Sequence, residues 1–91
     1  MNNADGKRPR WAWVQTKIRS ADLPNSQGPI TVETFWEQDH QPVKTRVVSG
    51  TASHVVVAEG VDGRDCTAFE AEHGRVVELL KAGGIKAVTA A

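Results

Sequence analysis

The chain has 91 residues and a mass of 9.9 kDa, the size of one small domain. Hydrophobic residues make up 40% of it and charged residues 24%, which excludes disordered, collagen-like and disulfide-scaffold chains. Eleven Lys and Arg balance eleven Asp and Glu, so the whole chain is not a polycation, and no apolar run approaches the ~18 residues of a membrane-spanning helix.

The charge is unevenly placed. Up to Arg19 the basic residues are Lys7, Arg8, Arg10, Lys17 and Arg19, against the single acid Asp5. Acids outnumber bases in the remainder, an asymmetry that suits either an anionic partner or internal pairing. Residues 1–10 lack the apolar stretch of a secretory signal and read as a flexible basic arm, with a cytoplasmic location as the expectation. From Trp11 to Arg19 the chain alternates, with Ala12, Val14, Thr16 and Ile18 on an inner face and Trp11, Trp13, Lys17 and Arg19 on an outer one. Ser20 to Pro29 is turn chemistry. A second alternating strand runs from Ile30 to Glu37, with Ile30, Val32, Thr34 and Trp36 inward.

After a break at Gln38–Pro42, Val43–Ser49 and His54–Glu59 are predicted strands joined at Gly50. The run Val55-Val56-Val57 is β-branched throughout and reads as a central strand. Asp62-Gly63 marks a turn. A helix follows, opened by the capping box Thr67-Ala-Phe-Glu70, with Phe69, His73, Val76, Val77 and Leu80 on one stripe and Glu72 among the residues decorating the rest. Gly83-Gly84 stops it, with Gly84 left-handed and Ile85 folded back toward Leu80. Ile85–Val88 reads as a short fifth strand, and residues 89–91 as a frayed tail. The expected architecture is α+β: residues 11–88 form one domain, an antiparallel sheet of four or five strands with one amphipathic helix packed on one face.

Chemistry-bearing residues are few. Cys66 is the sole cysteine, which rules out an intramolecular disulfide and a Cys-rich zinc site. At a helix N-terminus its thiol can ionise more readily, but His73 is about two turns away, and Cys66 reads as a small buried residue. His73 on the apolar stripe reads as a boundary residue with one satisfied nitrogen. Gly74, mid-helix, calls for close packing or a bend to offset its low propensity. No catalytic residue, cofactor or metal site is expected. The partner-binding candidates are Arg8, Arg10, Trp11, Trp13, Lys17, Arg19 and Phe35, an aromatic and basic sheet face suited to an unknown protein partner. Binding of single-stranded nucleic acid through the arm and Trp11/Trp13 is the alternative, a thiol enzyme at Cys66 a second one, and self-association through an edge strand a further expectation. The same face has a plain use in cross-strand pairing. An antiparallel register in which opposed residue numbers sum to 48 sets Trp13 against Phe35, and one that sums to 50 sets Lys17 against Glu33.

Overall fold

The computed structural model describes residues 12–24, 28–37 and 41–89. Four strands, β1 (Ala12–Ile18), β2 (Ile30–Trp36), β3 (Val43–Ser49) and β4 (Ala52–Ala58), are followed by α1 (Cys66–Gly83) and the short α2 (Ile85–Thr89). The sheet is an antiparallel meander in the order β1-β2-β3-β4. The fold is the expected α+β arrangement, with the main helix laid across one face, chiefly over β1, β2 and β3.

Alternation decides which side chains the helix covers. Ile30, Val32, Thr34 and Trp36 of β2 and Val43, Thr45 and Val47 of β3 are all buried beneath it, as are Phe69, His73, Val76, Val77 and Leu80 of α1. The core forms two apolar clusters. One gathers Ile18, Ile30, Val32, Val47, Val76, Leu80 and Val88, together with Leu23 from the turn after β1. The other holds Trp36, Val43, Ala58 and Phe69. Between them lies a polar rung: Thr34 Oγ1 and Thr45 Oγ1 are 2.8 Å apart, and His73 bridges Thr34 through Nδ1 at 2.8 Å and Thr16 through Nε2 at 2.7 Å. His73 therefore uses both ring nitrogens rather than one, and burial lowers its pKa below 6.5.

Several sequence expectations are corrected. Ile85–Thr89 is helical, so the sheet has four strands. Ile85 and Val88 are three apart, a spacing that turns both toward the core in a helix and would set them on opposite faces of a strand. Gly84 does adopt a positive φ of 72°, its N–H bonds Leu80 O at 2.7 Å, and Ile85 packs against the cluster that contains Leu80. Asp65, not Thr67, caps α1: its carboxylate accepts from the Ala68 N–H at 3.1 Å, leaving Thr67 inside the first turn. The valine run is not central. Short connections keep the strands in chain order, so β4, the last, becomes an edge. Glu72 is buried at 7% exposure rather than solvated, paired through both carboxylate oxygens with Arg75 at 2.9 and 2.7 Å. A Cβ at Gly74 would meet nothing within 4 Å, so close packing does not explain that glycine.

Candidate functional site

The sheet face turned away from α1 is ordered by the register. The β1/β2 pairs sum to 48, which sets Trp13 opposite Phe35, Gln15 opposite Glu33 and Lys17 opposite Thr31. Pairing continues into β3, where Phe35 meets Lys44 and Glu33 meets Arg46, and into β4, where Lys44 meets Val57 and Arg46 meets Val55. Two rows thus cross the sheet: Trp13, Phe35, Lys44, Val57, and beside it Gln15, Glu33, Arg46, Val55. Trp13, Val55 and Val57 are 53%, 48% and 45% exposed, the large hydrophobic side chains left most open to solvent among the described residues.

Glu33 organises the centre of this face. Trp13 Nε1 donates to Glu33 Oε2 at 3.2 Å, and Arg46 Nη1 lies 3.5 Å from Glu33 Oε1. The Arg46 guanidinium also sits 5.2 Å from the centre of the Phe35 ring, a cation–π contact. The face therefore contributes to its own stability through cross-strand pairs of ~0.2–1 kcal/mol each. Its charge is weakly basic, with Lys17, Lys44 and Arg46 against Glu33 and Glu37. A shallow depression of about 380 Å³ opens beside these groups, lined by Trp13, Phe35, Glu33, Arg46 and Glu37. A second, of about 420 Å³, lies round the β1 edge between Trp13, Val14 and the start of α1. Trp13 forms the ridge between the two.

Of the sequence candidates, Trp13, Phe35 and Lys17 share this face. Arg19 lies just beyond β1, with Nε 3.5 Å from Asp22 Oδ2. Arg8, Arg10 and Trp11 lie outside the described residues. Lys44, Arg46, Val55 and Val57 were missed. The signal was present: once the 48 register is set, the alternation of Val43–Ser49 turns Lys44 and Arg46 outward, and hairpin pairing then brings Val55 and Val57 alongside.

Cys66 is exposed at the first position of α1, which corrects its reading as a buried residue. Following directly on the Asp65 cap, it lies on the β1 flank of the helix and lines the second depression. His73 has both nitrogens on threonines, and His54 is on β4, three strand spacings or ~14 Å from β1 across the sheet. Neither imidazole is set to take the thiol proton. Among the described residues no three His, Cys, Asp or Glu side chains converge as metal ligands, and no helix is long and apolar enough to cross a membrane. Comparison of the chain with family models, curated proteins and solved structures found no match.

Proposed function

We infer that this domain is a protein-binding module that works without catalysis, using the uncovered sheet face to hold an acidic segment of another protein with apolar anchors. One observation carries the reading: Trp13, about half exposed, projects from the uncovered side of the sheet in a row with Phe35 and Lys44 and beside Arg46. Exposed Trp beside Arg is the composition of an interface anchor. Lys17, Lys44 and Arg46 against Glu33 and Glu37 leave one cation in excess, which favours an acidic partner. Glu33 is engaged on both oxygens, and its hydrogen bond fixes the indole in place, so less side-chain entropy is lost on docking. A protein partner is favoured over single-stranded nucleic acid because base stacking needs a run of open rings. Here Phe35 lies under Arg46. The exposed Cys66 thiol suits a reducing, cytoplasmic setting.

The test is selection of a displayed peptide library on the native protein and on Trp13→Ala. Native protein should enrich acidic sequences with aromatic or aliphatic anchors, and Trp13→Ala should bind the selected peptides roughly thirtyfold more weakly, the cost of truncating a central interface Trp. Far-UV circular dichroism and the emission of buried Trp36 report whether the variant keeps its fold. Equal enrichment by the two proteins would refute the reading. Trp13-dependent, salt-sensitive binding of a single-stranded oligonucleotide in place of the peptides would replace it with the nucleic-acid alternative.

A further inference from the structure

We propose that β4 is a dimerisation edge, pairing antiparallel with β4 of a second copy about a two-fold axis at Val55. The hydrogen-bond phase of the strand follows from its hairpin. Ser49 and Ala52 flank the two-residue loop Gly50-Thr51, with Gly50 at φ 62°, and such a closing pair is hydrogen-bonded. The phase then alternates, so Ala52, His54, Val56 and Ala58 bond to β3, whereas Ser53, Val55 and Val57 direct N–H and C=O away from the sheet. β4 is the outer strand, so those groups form its open edge.

Among the described residues this edge is unguarded. Ala52–Ala58 contains no Lys, Arg, Asp, Glu or Pro, its pairing with β3 is continuous with no bulge, and α1 lies mainly over the other strands. Charges, prolines, bulges and covering elements are the devices that keep edges from pairing. β1 differs, carrying Lys17 and leading into Arg19. The sequence of β4 also suits a copy of itself. With Val55 on the axis, Val55 meets Val55 of the second copy, Ser53 meets its Val57, and Val57 its Ser53. Each of these pairs exchanges two backbone hydrogen bonds. On the helix side His54 meets Val56 and Ala52 meets Ala58, so no like charges oppose one another. The pairing joins two four-stranded sheets into one, covers part of the exposed valines, and leaves Trp13 free on the far side of each copy.

The experiment measures mass and amide exchange against concentration on the full chain. Sedimentation of the native protein should move from 9.9 kDa toward twice that value, and the N–H groups of Ser53, Val55 and Val57 should become protected as concentration rises, while those of His54 and Val56 stay constant. Val55→Lys sets two ammonium groups together on the axis and should weaken association by about tenfold or more. Val57→Lys, off the axis, is the second variant should Val55→Lys fail to fold, and it too should weaken association. A mass that stays at one chain at every concentration overturns the proposal, as does a dimer that either folded lysine variant leaves unchanged. Association is also measured in Trp13→Ala, which lacks the indole of the binding face at the opposite edge of the sheet and should dimerise as the native protein does, so failure of the dimer and failure of the binding face are distinguishable.

Discussion

Replacing Thr34 by Val should cost more than its single lost hydroxyl suggests. Thr34 Oγ1 is the middle of the buried chain, within 2.8 Å of both Thr45 Oγ1 and His73 Nδ1, and Thr34 and Thr45 are 0% exposed. Valine keeps the shape, adds a methyl group and removes both hydrogen bonds, leaving two buried polar atoms without this partner. Each such atom costs ~1–3 kcal/mol. With the gain from the methyl group set against that, the expected loss is about 2–3 kcal/mol. A domain of this length has ~5–14 kcal/mol in total. Thr45→Val removes one terminal bond and should cost about 1 kcal/mol. The double variant should be less destabilised than the sum of the two, by about 1 kcal/mol, because Thr45 no longer offers a stranded hydroxyl. Denaturant titrations followed by Trp36 fluorescence measure all three. Additive losses, or a Thr34→Val protein as stable as the native one, would show that the rung is not coupled as the distances indicate.

Two further perturbations test other joints of the fold. A Cβ at Gly63 would overlap the ring atoms of Trp36, so Gly63→Ala should destabilise by ~1–3 kcal/mol through overpacking and shift Trp36 emission; an unchanged melting temperature would contradict that contact. Acid should destabilise the native protein through His73. Burial lowers its pKa when folded, so the unfolded chain binds the proton first, and stability declines as pH falls through about 6.5 toward the lower folded value, below which this contribution levels off. Denaturation midpoints across that range should fall in the native protein and stay flatter in His73→Gln; an equal fall in both would place the effect elsewhere.

Legibility in the sequence followed the strength of local periodicity. β1, β2 and the stripe of α1 were readable because period 2 and period 3.6 were unbroken there, and the 48 register was one of only two that suited the Trp, Phe and Glu positions. The C-terminus misled because Ile85-Lys-Ala-Val88 is too short to show a period; the helix is held by Val88 reaching the core. Composition misled at β4, since β-branched residues mark a pleated environment and not a place in the sheet. Leu23 was hidden inside turn chemistry and is a core residue. Glu72 looked like one more surface acid, and only the bidentate contact with Arg75 explains its burial. The face proposed to bind a partner was half visible: its aromatic members follow from alternation in β1 and β2, whereas Arg46, Val55 and Val57 join that face only through pairing across strands.

The layout links the two proposals through register. A single layer of helix over a four-stranded sheet covers one face and leaves the other to solvent. On a face that only met water, the positions opposite the helix would be polar along every strand. Here they carry Trp13 at one end and Val55 and Val57 at the other, with Glu33, Arg46 and Phe35 clasped between them. The clasp satisfies the middle of the face internally. What remains unsatisfied is divided: an indole ridge at the β1 end, and valines with open backbone groups at the β4 end. An aromatic ridge flanked by cations recognises side chains, whereas a row of N–H and C=O groups recognises a strand. The β4 strand has no charge to exclude its own copy, and so the two ends of one face can meet different partners without competing.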